Sequence, residues 1–258
     1  MSRVTYELDG HVALIGLQRP EKRNAFDRAM LDELARAYTR YELDPGARCA
    51  LLFAHGSHFT GGLDLASVGP EVQAGARAFD VAEVDPLDVG PRRRTKPVVV
   101  AIQGYCFTLG IELALGADVR LAADDARFTQ LEVKRAFLPF GNATLRFAAV
   151  SGWGNAMRWM LTGDLFDAAE ALRIGLVQGV VPASALMAES KALAARIAAQ
   201  APLAVRAILA SSRAALEEGP EVEATRVYDR ARELMKTEDA AEGMRAFLER
   251  REGVFQGK

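Results

Sequence analysis

The sequence predicts an α/β fold. Apolar strand-like runs alternate with amphipathic helical runs through its first half, Gly, Pro and Asp turn signals separate them, and beyond Ala143 the pattern is almost wholly helical. With 258 residues, 50 % hydrophobic and 26 % charged, the chain has ordinary globular composition. A body of this size buries roughly 70–75 % of the surface of its unfolded chain, so its core holds without disulfides or a structural metal.

Val4 to Leu17 alternates as two short strands around Asp9-Gly10, a hairpin turn dipeptide. After Arg19-Pro20, the residues Phe26, Met30, Leu34 and Tyr38 recur at helical spacing until Asp44-Pro45-Gly46 stops the run. Cys49 to Ala54 reads as a buried strand. The order then repeats: Pro97 to Gln103 is a β-branched strand, Gly104 to Gly110 a turn, Ile111 to Leu115 a helix and Val119 to Ala122 a strand. Ser67 to Thr95, rich in Gly, Pro and acidic residues and ending in Arg92-Arg93-Arg94, reads as a mobile segment over a site, with the arginines as a solvated run. Later turns fall at Thr162-Gly163-Asp164 and Gly175, a short strand at LVQGVV, and Ala-rich helices follow from Ala185. The shift in composition divides the chain into an α/β core with the site, 1–200, and a C-terminal helical region, 201–258.

The charge balance excludes some partners. Lys and Arg total 32 against 34 Asp and Glu, a net charge of -2, which provides no basic field for nucleic acid or an anionic membrane. The start lacks an apolar signal-peptide region, and the most apolar stretch, Pro97 to Ala123, is interrupted by Gln103, Glu112 and Asp118, so no membrane span is expected. Cys49 and Cys106 lie in apolar surroundings and read as reduced buried thiols of a cytoplasmic protein. His11, His55 and His58 match neither a zinc-ligand spacing nor a Ser-His-Asp arrangement, so no metal site is expected.

Two features carry chemistry. The turns FTGGLDL (Phe59 to Leu65) and GYCFTLGIEL (Gly104 to Leu113) each follow a buried strand, and their small residues allow backbone N–H groups to face a ligand. Brought together they would form a two-amide oxyanion hole; singly, each is an ordinary turn. Glu112 and Glu132 stand in apolar company, where a carboxylate is costly unless paired, hydrogen-bonded or used, and where burial raises its pKa toward the range useful for proton transfer. The structural alternative has Glu112 complementing the N-terminus of its own helix and Glu132 paired with Lys134 or Arg135.

Six segments in order give a resemblance over essentially the whole chain: RPEKRNAFD (Arg19 to Asp27), FTGGLDL, KPVVVAIQGYCFTLGIELALGADVRLA (Lys96 to Ala122), FTQLEVKRAFLP (Phe128 to Pro139), LTGDLFDAAEALRIGLVQGVVP (Leu161 to Pro182) and GMRAFLERREGVF (Gly243 to Phe255). The chain resembles the crotonase, or enoyl-CoA hydratase/isomerase, family. The resemblance implies a ββα spiral core whose C-terminal helices pack on a neighbour in a homotrimer or dimer of trimers. It implies an acyl-CoA thioester substrate, CoA being part of the substrate and no separate cofactor. The backbone N–H groups of Leu63 and Leu109 would form the oxyanion hole, and Glu112 and Glu132 the acid/base pair that holds a water and hydrates a 2-enoyl-CoA.

The same resemblance marks Lys22, Arg23, Ala25, Gly61, Gly62, Asp64, Gly110, Phe140, Phe247 and Arg250 for substrate or CoA contact, the last pair reaching the nucleotide of an adjacent subunit. Alternatives on the same scaffold are isomerisation of a 3-enoyl-CoA with Glu132 as base, thioester hydrolysis or decarboxylation, and a non-catalytic acyl-CoA binder. Three residues depart from the hydratase pattern: Leu63 replaces a small residue, Leu109 a glycine and Phe140 a glycine. Their bulk implies a reshaped acyl pocket in which short-chain hydration is slow.

Overall fold

The computed structural model describes residues 2–258. The chain opens with β1 (Val4–Asp9) and β2 (Val12–Leu17), an antiparallel pair turned at Gly10. A short 3-10 turn, Pro20–Lys22, leads to α1 (Arg28–Leu43), capped by Asp27, whose side chain accepts the Met30 N–H at 2.9 Å. Such a cap contributes about 1 kcal/mol. Then come β3 (Cys49–Ala54), α2 (Leu65–Gln73), β4 (Val98–Ile102), β5 (Tyr105–Phe107), α3 (Leu109–Gly116), β6 (Val119–Ala123) and β7 (Arg127–Thr129). A 3-10 turn at Glu132–Arg135 precedes α4 (Ala143–Ser151), α5 (Trp153–Thr162), β8 (Phe166–Asp167), α6 (Ala168–Arg173) and β9 (Gly179–Val181). Five helices close the chain: α7 (Leu186–Ala198), α8 (Pro202–Glu218), α9 (Pro220–Ala224), α10 (Val227–Leu234) and α11 (Glu238–Glu249).

A six-stranded sheet runs β1-β2-β3-β4-β6-β9, parallel except for β1, and a three-stranded sheet runs β5-β7-β8. Each β-branched run of the central strands is buried on both faces, as parallel strands require. One apolar cluster fills the space between the sheets and α1, α3 and α4; a second lies under α7. The repeated strand-strand-helix units, β1-β2-α1 and β4-β5-α3, form the spiral expected from the sequence. Cys49 and Cys106 are free, buried thiols. Among the described residues no single helix is long and apolar enough to cross a membrane.

The structure corrects three readings. Tyr105–Phe107 is a strand and not part of a turn, and it pairs with β7, which three residues of sequence did not disclose. The arginine run is not solvated throughout: Arg94 is 2 % exposed and donates to Asp118 at 2.6 Å, to Lys96 O and to Gly116 O. The segment before it is tied down. Asp85 accepts the Leu87 N–H at 2.9 Å and the Val89 N–H at 3.0 Å, while Asp88, 1 % exposed, meets Arg93, Arg146 and, at 3.4 Å, Arg213 of α8.

Candidate active site

Two loops meet where β3 and β4 end. Phe26 bridges Leu63 and Thr60 bridges Cys106, and the Phe107 N–H donates to Thr60 O at 3.1 Å, so the FTGGLDL loop lies along β5. Gly62 has φ +94, and a Cβ there would run into Thr108 Oγ1. Thr108 carries φ 51 and ψ -110, a costly backbone for a β-branched residue. That turn starts α3 with Leu109 as its first residue. Among the described residues, neither the Leu63 nor the Leu109 N–H donates to a protein acceptor. Both leucines line one cavity of about 220 Å³ together with Gly61, Thr108, Glu112 and Glu132.

The glutamates differ in their support. Glu112 is 4 % exposed. Its Oε1 accepts the N–H groups of Gly141 at 2.9 Å, Asn142 at 3.1 Å and Ala143 at 3.3 Å. Glu112 therefore caps α4 and not its own helix, and the Asn142 side chain, at the N-cap position, turns away to donate to Leu87 O and Glu112 O. Burial pushes the Glu112 carboxyl up, and the three amides oppose it. Glu132 is half-buried and forms no ion pair with Lys134, which instead meets Asp164 at 3.3 Å. Its Oε2 is buried without a partner. Burial, with the Glu112 charge adding to it, lifts the Glu132 carboxyl to about 7, while its own backbone N–H and Arg135 pull the other way.

Other expected residues fall into three groups. Gly61 and Phe140 line the cavity, and all three bulky departures, Leu63, Leu109 and Phe140, share it with the glutamates. Leu109 is 3 % exposed and packs into the core, whereas Phe140 is 46 % exposed. Asp64 instead pairs with Arg19 at 2.9 Å, which fixes the loop, and Gly110 is a packing position where a Cβ would meet Thr60 Cγ2. Lys22, Arg23 and Ala25 lie on the neighbouring loop, Arg23 accepting the Gly61 N–H through its carbonyl. Phe247, 78 % exposed, and Arg250, on and just beyond α11, do not line the cavity. Sequence reasoning missed Leu65, Ala78, Leu87, Leu131, Arg135 and Phe137 on its wall. Asn142 before an apolar run signals where α4 starts, but no local pattern places that start beside Glu112.

Two amides without a protein acceptor, an anchored carboxylate and a second carboxyl raised by burial thus share one cavity, an arrangement suited to chemistry beside a carbonyl, and fold and site together are those of an enzyme. The family model for enoyl-CoA hydratase/isomerase matches residues 7–258, and the chain belongs to that family. It is 34 % identical to an enoyl-CoA hydratase of Mycobacterium tuberculosis over 98 % of this chain and 96 % of that protein. It is 35 % identical to the (E)-benzylidenesuccinyl-CoA hydratase of Thauera aromatica over 98 % of this chain and 99 % of the other. The crystal structure of a probable enoyl-CoA hydratase/isomerase from Mycobacterium abscessus superposes with a TM-score of 0.95 at 48 % identity, covering 99 % of each chain.

Proposed function

We propose that this chain hydrates a 2-enoyl-CoA, or catalyses the reverse dehydration, with Leu63 and Leu109 as the oxyanion hole and Glu112 and Glu132 as base and acid. The observation that carries this reading is the unequal support of two carboxylates in one cavity. Three N–H donors favour the ionised form of Glu112, while the unpartnered Oε2 of Glu132 favours the protonated one. Groups whose environments differ in this way divide into base and acid.

The thioester oxygen accepts from the N–H groups of Leu63 and Leu109. Glu112 removes a proton from water as its oxygen bonds to the β carbon, and the alkene electrons move into an enolate held by those amides. A donor of this kind supplies about 3–4 kcal/mol to the transition state. Glu132 then protonates the α carbon, and proton transfer from Glu112 back to Glu132 through solvent restores the pair. CoA arrives and leaves with the substrate, and no separate cofactor or metal takes part. Lys22, Arg23 and Ala25 line its path, and Phe247 and Arg250 reach it from an adjacent copy of a homotrimer or dimer of trimers assembled through residues 201–258. The setting is cytoplasmic.

A second reading, 3-enoyl-CoA isomerisation, is favoured by one observation: a carboxyl titrating near 7 also serves as a base. The pH profile separates the two. Hydration needs protonated Glu132, so kcat/KM falls as pH rises through about 7; isomerisation needs the carboxylate, so kcat/KM rises over the same interval. Glu132→Gln lowers turnover by about 10²–10⁴-fold in either case. Retained turnover in that variant overturns both, and acyl-CoA binding without turnover by the wild type leaves only a binder.

A further inference from the structure

Three voids meet at Phe140. Beside the 220 Å³ cavity with the glutamates lies a chamber of about 290 Å³ with Arg77, Asp80, Glu83 and Asp85 on its wall. An open groove of about 640 Å³, lined by α2 and the 136–140 loop, also adjoins the cavity. Phe140 lines all three voids, and Leu65 and Phe137 are shared by the cavity and the groove. The groove is apolar. Leu65, Val72, Phe137, Leu138 and Phe140 form it, and Gln73 is its one polar side chain among the described residues. Leu138 is 66 % and Phe137 54 % exposed, so large apolar side chains continue outward from the cavity with nothing of this chain covering them.

We propose that this groove holds the hydrocarbon tail of the acyl group, making the substrate a medium- or long-chain 2-enoyl-CoA, with Phe140 as the residue that directs the tail. The inference rests on the acyl-CoA reading of the cavity. By itself the cavity is smaller than the roughly 300–1,000 Å³ of most small-molecule sites, and the groove brings it into that range. The chamber, although Phe79, Val81 and Leu87 also line it, is the poorer route for a hydrocarbon, which would strip water from Arg77, Asp80 and Glu83 without replacing their hydrogen bonds. Phe140 stands where the routes diverge, on the wall of each. A short acyl group ends before the groove and leaves its apolar wall wet, so each methylene added beyond the fork gains burial.

The test uses the full-length protein and two readouts. One is kcat/KM for crotonyl-CoA and 2-decenoyl-CoA. The other is calorimetric affinity for butyryl-CoA and decanoyl-CoA, which needs no turnover. The plug is Gly69→Trp: Gly69 lies in α2 on the groove wall, and no atom lies within 4 Å of where its Cβ would be. The wild type is expected to favour the ten-carbon chain at least ten-fold in both readouts, and Gly69→Trp to bring both ratios toward one. If Gly69→Trp does not fold, Leu138→Glu, at an exposed position, carries the same expectation. Wild-type ratios near one overturn the proposal. Ratios untouched by the plug overturn it too, and if the oligomeric mass changes at the same time the groove belongs to a second copy of the chain. Loss of turnover with a preserved affinity ratio counts against hydration and supports the groove.

Discussion

The two walls of the cavity are built on opposite principles. On one, β4, α3 and the start of α4 set Leu109 and Glu112 in a core where neither is more than 4 % exposed, and three backbone amides converge on one carboxylate oxygen. On the other, α2, the 3-10 turn at Glu132 and the 136–140 loop present Phe137, Leu138 and Phe140 to solvent and leave a carboxylate oxygen without a partner. The first wall fixes charge and the second leaves room. The amides belong to the backbone, so substitution removes none of them, whereas the exposed side chains of the second wall can be exchanged one at a time.

The largest expected effect comes from removing the foundation of the fixed wall. Arg94 donates to Gly116 O at the end of α3 and to Asp118, whose carboxylate in turn accepts the Val98 N–H at the start of β4 at 2.7 Å. One guanidinium therefore joins the two elements that carry the site. Arg94→Met breaks a buried pair and is expected to cost about 3–5 kcal/mol in denaturant unfolding, because Asp118 keeps only the longer contact to Arg213 at 3.6 Å and Gly116 O loses its donor. A loss below 1 kcal/mol would show that Arg213, whose guanidinium lies 3.6 Å from the Asp118 carboxylate, replaces it.

Gly141→Ala acts on the same wall at its chemical end. A Cβ there would stand 2.5–2.8 Å from the Glu112 carboxylate, so the carboxylate must leave its three amides or α4 must shift. The expected result is a fall in kcat of about 10²-fold, the usual cost of displacing a catalytic group by about 1 Å. Far-UV circular dichroism should stay as in the wild type. Unchanged kcat would mean that Glu112 serves α4 as a cap and the chemistry not at all.

Legibility in the sequence followed range. The hairpin at Asp9-Gly10, the α1 stripe ending at Asp44 and the β-branched strand before Gly104 are local patterns, and the structure has each of them. Glu112 was legible as a carboxylate in apolar company, but the amides that hold it lie 29 to 31 residues later, and no spacing rule reaches that far. Arg94 was misread for the same reason, since Asp118 is 24 residues away and a triple arginine taken alone is a solvated patch. The strands β7 and β8, of three and two residues, are too short for any periodicity. For Glu112 and Arg94 the cause is the same: the partner that decides the residue's state arrives through the fold.

The smallest effect concerns the open wall and turns on the sign of a titration. Glu132 has its carboxyl raised to about 7 in the folded chain, against about 4.3 when unfolded. Well below pH 4 it is neutral in both states and costs the fold nothing. Between about pH 4.3 and 7 the unfolded chain gives up its proton first, so wild-type stability falls as pH rises, and above about 7 the full cost is present. Glutamine carries no such burden. Glu132→Gln, the variant expected to lose turnover, is therefore expected to be more stable than the wild type by about 1–2 kcal/mol at pH 8.5, after allowance for its partial exposure. At this chain size that corresponds to a rise of roughly 2–8 °C in Tm, shrinking toward zero at pH 4.5. Melting curves at the two pH values decide it: a gain that does not depend on pH would come from packing, and no gain at pH 8.5 would mean that solvent already relieves Oε2, removing the contrast with Glu112.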